Sequence, residues 1–264
     1  MKAKKFFGQH FLKDESVVTN IINAAGVEGA NVLEIGPGSG VLTRHLVKRA
    51  KKVVSVDIDR EAIEATRAKV KSPKLSLIER DILDVSQEEI GSWFDWEPYI
   101  LVGNIPYNIT SDLLNKFLTQ PPTPARSVWM VQKEVAKRMV AGAGDMSRLG
   151  LLVQLYSEAE LICDVPRGAF APPPKVDSAV VRLKHFSVAH MRERGIDDPE
   201  AILRFADIAF QQKRRQMQKT LTTLPCVMPD MLTAALKQLH HSTTARPEEL
   251  SSVDWIALFG FFQR

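Results

Sequence analysis

Cysteine is scarce in this chain of 264 residues: Cys163 and Cys226 lie far apart, with no further Cys or His nearby at ligand spacing. That excludes a zinc finger and a disulfide framework, and leaves two inert thiols suited to a reducing compartment. No metal is expected. Long apolar runs are also missing, since none approaches the roughly 18 residues that a membrane-spanning helix needs. The basic N-terminus, with Lys2, Lys4 and Lys5, has neither the apolar core nor the small-residue cleavage site of a secretion signal. A cytoplasmic protein with no membrane attachment is the expectation. Internal repeats and low-complexity tracts are absent as well, which excludes solenoids and disordered linkers.

What is present is an ordinary globular composition, 45% hydrophobic. The length suits one full α/β domain with a smaller companion. A net charge of +4 is compatible with a polyanionic partner. Lys213, Arg214, Arg215 and Lys219 concentrate positive charge in one late segment.

Through residue 131 strand-like and helix-like stretches alternate. Short apolar strands are predicted at 32–35, 53–56, 75–78, 99–103 and 127–131, with helices at 41–49, 61–69 and 110–118. Alternation of this kind implies a parallel sheet covered by helices. After a helix starting near Gln154, strands at 159–165 and 178–183 flank a connection containing Pro172, Pro173 and Pro174. Prolines cannot pair inside a sheet, so the two strands form a hairpin closing an otherwise parallel sheet. The expected fold is therefore a Rossmann-like class I methyltransferase sheet with a C-terminal β-hairpin, covering residues 1–186. Residues 187–264 are predicted as a small all-helical domain, with helices at 200–224, 229–239, 247–250 and 253–262. In the first of these, Phe210, Met217, Leu221 and Leu224 share one face.

The turn after the first predicted strand reads Glu34-Ile35-Gly36-Pro37-Gly38-Ser39-Gly40. Such glycines let backbone approach a ligand at a helix N-terminus. A dinucleotide fingerprint would need Gly or Ala at position 41, which is Val41. Alternating glycines preceded by an acid suit S-adenosylmethionine better. Asp57, followed by Ile58, ends the second strand, where an acid can accept from both ribose hydroxyls. Asp59 suits a helix N-cap. Asp81, followed by Ile82, ends the third strand and can accept from the cofactor's adenine amine. All these acids fall at the carboxyl edge of the sheet, where ligands bind.

The fourth strand ends in Asn104-Ile105-Pro106-Tyr107. An adenine N6 amine is a poor nucleophile because its lone pair is conjugated with the ring. The Asn104 side-chain oxygen and the Pro106 carbonyl can each accept one of its hydrogens, which aims the lone pair at a methyl donor. Proline fixes the backbone in advance, and Tyr107 can stack on the base. No general base is required, so catalysis rests on positioning and electrostatics. The base must leave its helical stack to be reached. Phe170, just before the prolines, is the candidate for a second stacking ring.

With these pieces in place, the chain resembles the bacterial small-subunit rRNA adenine dimethyltransferases, the kasugamycin-sensitivity enzymes. The resemblance rests on Phe7-Gly8-Gln9-His10-Phe11-Leu12, the glycine turn, Asn104 to Asn108, Gln132-Lys133-Glu134-Val135, the run from Phe170 to Ser178, and Phe210 to Gln216. It extends from about Lys5 to the end of the chain. It implies dimethylation of two adjacent adenosines in the 3′-terminal hairpin loop of 16S rRNA, on a late small-subunit precursor, by a monomeric enzyme. By motif matching, Gln9, His10 and Leu12 would border the cofactor with Gly36, Asp57, Asp81 and Asn104. Lys213, Arg214, Arg215 and Lys219 would grip rRNA phosphates, contacts that carry no sequence information. The family often has Asn at the position of His10 and Glu at that of Asp57. An erythromycin-resistance methyltransferase, a DNA adenine methyltransferase and a non-catalytic assembly or transcription factor share parts of this pattern. The Pro-rich run ending in Ser178 argues against the first, Ile105 against the second, and the complete glycine turn against the third.

Overall fold

The computed structural model describes residues 10–212 and 215–263. Its strands are β1 (Phe11–Leu12), β2 (Asn31–Ile35), β3 (Lys52–Asp57), β4 (Leu75–Glu79), β5 (Tyr99–Asn104), β6 (Arg126–Gln132), β7 (Ser157–Val165), β8 (Phe170–Ala171) and β9 (Ser178–His185). The helices are α1 (Glu15–Ala25), α2 (Thr43–Arg49), α3 (Arg60–Lys69), α4 (Gln87–Trp93), α5 (Thr110–Thr119), α6 (Lys133–Met139), α7 (Arg148–Tyr156), α8 (Val188–Glu193), α9 (Pro199–Phe210), α10 (Met217–Leu221), α11 (Pro229–Gln238) and α12 (Ser252–Gly260).

Seven strands form one sheet in the order β4-β3-β2-β5-β6-β9-β7. The pairs β2–β3, β3–β4, β2–β5 and β5–β6 are parallel, and β9 runs antiparallel to β6. All five residues of β2 are buried, as expected for a central parallel strand covered on both faces. Successive strands step to one side from β2 to β4 and to the other from β5 to β6. The order therefore reverses between β2 and β5, and the crevice at their carboxyl ends is the place where such sheets bind ligands. In β9, Ser178 pairs with Gln132, the last residue of β6, so β9 starts at that same edge.

Helix α1 illustrates how the sequence builds the layers. Asp14 caps it by accepting from Ser16 N at 2.9 Å, and Gly26 ends it in the left-handed region at φ 60°. Between them Val18, Ile21, Ile22 and Ala25 face the core at helical spacing. Each buried Val or Ile contributes about 1.5–3 kcal/mol relative to exposure. Asp59 caps α3 by accepting from Glu61 N at 3.1 Å, as the sequence indicates.

The chain divides into two compact units, one of residues 1–136 and 159–185, the other of 137–158 and 186–264. Residues 137–158, placed by the sequence reading in the first domain, thus belong to the second. The cause is α7, which packs on α9 and α12 and is tied to α9 by Arg148 Nε donating to Asp207 Oδ1 at 2.6 Å. Ser147 caps α7 through Gly150 N, so this helix begins at Arg148 and ends near Gln154 instead of starting there. The core of the second unit is aromatic, with Phe205 against Trp255, Phe259 and Phe262, and Phe210 against Trp255.

The single helix expected over 200–224 is instead two, α9 and α10. Phe210, Met217 and Leu221 are all buried, as their spacing suggests, but on separate helices. The intervening residues 211–216 include no apolar side chain whose burial would carry a helix through. The segment expected as a helix at 247–250 is a 3₁₀ turn, Pro247–Glu249.

Candidate active site

A cavity of about 400 Å³ opens at the carboxyl ends of β2, β3 and β5. Gly36 and Gly38 line it from the turn after β2, Asp57 and Ile58 from the end of β3, and Asp81 and Ile82 from beyond β4. Asn104, Pro106 and Tyr107 line it from the end of β5, and His10 from the N-terminal strap. Nine residues singled out from sequence therefore share one wall with His10. Gln9 lies outside the described residues.

The glycine turn is shaped by what surrounds it. Gly38 has φ 54°, and a Cβ there would come within 3.2 Å of the Phe11 ring. Any larger residue would strain the backbone and crowd the Phe11 ring, which itself lines the cavity. Gly40 behaves differently from expectation: it packs on Thr66 and Val70 of the α3 region and does not line the cavity.

Glu34 also departs from the cofactor role expected of it. It is fully buried beneath the turn, where it accepts from Thr43 Oγ1 at 2.8 and 3.0 Å and from Ser55 Oγ. It braces β2, α2 and β3 against each other, and so supports the turn from behind. Burial pushes its carboxyl up to about 7, opposed by the Ser55 and Thr43 hydroxyls, with the Asp57 charge adding to the rise. Asp57 is likewise pushed up, to about 6, mainly by burial, while backbone N–H groups of Asp59, Gly38 and Ile58 oppose it. The Asp59 N–H donates to Asp57 Oδ1 at 2.9 Å.

Both carboxyls bind a proton more readily folded than unfolded, where they titrate near pH 4. Their contribution is present at low pH and is lost as pH rises through about 6 to 7. Glu34→Gln removes one of them. The melting temperature of the natural protein relative to this variant is expected to fall between pH 5 and 7.5, then level off. A difference independent of pH in that interval would show that Glu34 is ionised throughout.

At the end of β5 the Asn104 amide is fixed: its Nδ2 donates to the backbone carbonyl of His10 at 2.9 Å. That bond identifies the nitrogen, so the amide oxygen faces the other way and has no hydrogen-bond donor among the described residues. His10 Nδ1 lies 2.9 Å from the carbonyl oxygen of Pro172, an acceptor only, so Nδ1 carries the proton. The His10 and Tyr107 rings lie nearly parallel, 6.3 Å apart at 26°. The Tyr107 hydroxyl pairs with Ser178 Oγ at 2.7 Å, which fixes the ring from its far end.

Three expected roles do not survive this geometry. The Pro106 carbonyl accepts from Ile109 N and Thr110 Oγ1, each at 3.2 Å, so it starts α5 instead of facing a substrate amine. Phe170 is only 2% exposed and does not line the cavity. It pairs with Leu12 in the β1–β8 ladder, and both side chains sit in the hydrophobic core. Adjacent strand residues face opposite ways, so Leu12, expected to border the cofactor, turns to the core and does not line the cavity, while Phe11 turns to it. That alternation is the signal by which Phe11 could have been found. Ile105, Arg80, Asn108 and Ile109 also line the site and were missed. Arg80 is held by both carboxylate oxygens of Glu89, at 2.7 and 2.8 Å.

Of the basic residues expected at RNA, Arg215 and Lys219 are exposed, Lys219 on α10, while Lys213 and Arg214 lie outside the described residues. Among the described residues no helix is long and apolar enough to cross a membrane.

A mostly parallel sheet closed by an antiparallel strand, with a cavity at its switch point and an acid at the end of β3, defines a class I methyltransferase. The family follows from comparison: residues 1–261 match the model of ribosomal RNA adenine dimethylases, and the chain belongs to that family. It is 39% identical to the ribosomal RNA small subunit methyltransferase A of Acaryochloris marina, over 97% of this chain and 96% of that one. The protein of the same name from Synechococcus sp. is 40% identical, over 97% and 91%. Among solved structures, the dimethyladenosine transferase from Plasmodium falciparum superposes with a TM-score of 0.76 at 29% identity, covering 94% of this chain and 96% of that one. The 23S rRNA methyltransferase ErmE gives the same TM-score at 28% identity, covering 96% and 100%. The chain is thus an enzyme that dimethylates adenine in ribosomal RNA.

Proposed function

We propose that the enzyme dimethylates the N6 amines of two adjacent adenosines in the 3′-terminal hairpin loop of small-subunit rRNA, on a late precursor of the subunit. The observation that carries the chemistry is the Asn104 amide, its nitrogen clamped by the His10 carbonyl, in the cavity that Tyr107 also lines. The choice of subunit rests on the printed names of the curated relatives. ErmE, a 23S rRNA methyltransferase, superposes as well as the dimethyladenosine transferase does, so the fold by itself does not choose the RNA.

S-adenosylmethionine supplies the electrophilic methyl group. The residues present fit it: Asp57 offers carboxylate oxygens for the ribose hydroxyls, Asp81 an acceptor for the adenine amine, and the turn at Gly36 and Gly38 leaves room for the amino-acid end. A flipped target adenine stacks on Tyr107. Asn104 accepts one hydrogen of its amine, and the second acceptor falls to the Ile105 carbonyl. Ile105 lines the cavity and is held extended by the proline that follows. The nitrogen then loses its proton to solvent, and no side chain is needed as base. Arg215 and Lys219, with Lys213 and Arg214, hold rRNA phosphates from the helical unit.

An acceptor competition tests the assignment. With labelled S-adenosylmethionine and equal amounts of undermethylated small subunits, large-subunit RNA and duplex DNA, label is expected on the small subunits alone. Label on large-subunit RNA would instead place the chain with the ErmE-like enzymes.

A further inference from the structure

Lys116 sits on α5, two turns beyond the catalytic loop, and is only 8% exposed. Lysine is almost never this buried unless its ammonium is paired. Here Nζ donates to two backbone carbonyls, Leu83 O at 2.9 Å and Val85 O at 2.5 Å. Those carbonyls belong to the turn that carries Asp81 and Ile82 along the cavity wall. Within that turn Leu83 N donates to Asp81 Oδ1 at 2.9 Å, and Asp84 N donates to the Asp81 carbonyl at 3.1 Å. Gln87 Nε2 donates to the main-chain carbonyl of Lys116 at 3.1 Å, tying the start of α4 to the same point. The ammonium, both carbonyls and Asp81 therefore form one connected network.

Burying an ammonium is costly, and a short neutral side chain would satisfy a single carbonyl at less expense. What lysine adds is three donors on a long stem. It can pin two carbonyls two residues apart in a stretch outside any helix or strand. The carboxylates of Asp84 and Asp81 offset part of the burial penalty.

We propose that Lys116 is a positioning residue for cofactor recognition: by holding the Leu83 and Val85 carbonyls it sets the turn from which Asp81 reads the adenine amine. This rests on the reading that the cavity takes S-adenosylmethionine with its adenine at Asp81. Loss of the pin lets the turn relax and Asp81 lose its aim, while Asn104 and Tyr107 keep their own anchors. The cofactor KM then rises and kcat at saturating cofactor stays.

The test uses calorimetry of the full chain with S-adenosylhomocysteine and with S-inosylhomocysteine, in which a carbonyl oxygen replaces the adenine amine. The natural protein is expected to prefer the adenine ligand. Lys116→Met is expected to bind it about tenfold more weakly, the size of one lost hydrogen bond. Its preference over the inosine ligand collapses toward one, and adding Asp81→Ala costs little further affinity. Unchanged affinity and unchanged preference, even with a lower melting temperature, would overturn the proposal and leave Lys116 as a purely structural group. If Lys116→Met does not fold, Lys116→Gln, which keeps one donor arm, carries the same readouts. A natural protein that binds neither ligand overturns the cofactor reading, and the role of Lys116 with it.

Discussion

Asn104→Ala is expected to lower kcat for methyl transfer by on the order of 10²–10³-fold, the cost of removing one preorganised group from a developing charge. The amine of adenine shares its lone pair with the ring and must be drawn out of conjugation before it can attack. An amide oxygen accepting one of its hydrogens does this only if it is already aimed, and the bond from Asn104 Nδ2 to His10 O supplies the aim. Alanine removes the acceptor, and with it the tie to the His10 carbonyl, while Asp57, Asp81 and the glycine turn keep their places in the cavity. Cofactor affinity should therefore change far less than kcat. Single-turnover transfer beside equilibrium binding of S-adenosylhomocysteine separates the two, and equal losses in both would assign Asn104 to cofactor binding alone.

The second large effect is at Tyr107. Stacking of a base on an aromatic side chain is worth about 1–3 kcal/mol, so Tyr107→Ala is expected to reduce kcat/KM for the RNA by between about fivefold and a hundredfold. Tyr107→Phe keeps the ring and loses only the bond to Ser178 Oγ. A neutral hydrogen bond contributes about 1 kcal/mol, so phenylalanine should cost several-fold at most. A phenylalanine variant as impaired as the alanine one would mean that the hydroxyl, and not the ring face, does the work. Steady-state transfer to undermethylated subunits with both variants decides between them.

Much of the site was legible because parallel strands put their carboxyl ends together. Asp57, Asp81 and Asn104 each follow an apolar run, and a shared sheet edge brings all three to one cavity without any knowledge of side-chain packing. The departures came where sequence position and side-chain direction part. Glu34 belongs to the glycine motif yet points inward, because Thr43 and Ser55 offer hydroxyls beneath the turn. Phe170 precedes the prolines as anticipated, but its pairing with Leu12 turns the ring to the core. The Pro106 carbonyl is claimed by the first turn of α5, a contact that depends on where that helix starts. Lys116 carried no sequence signal at all: a lysine near the end of an amphipathic helix reads as solvated, and only the turn packed over it shows otherwise.

The most direct measurement of the central claim is the position of the methyl groups. Small subunits lacking dimethyladenosine, incubated with the enzyme and S-adenosylmethionine, are digested and their rRNA fragments weighed by mass spectrometry. Two dimethylated adenines side by side in the 3′-terminal hairpin, absent when Asn104→Ala replaces the natural protein, are the expected result. Tight binding to the subunit with no mass added to any fragment, or methyl groups on an isolated adenine elsewhere in the RNA, would contradict it.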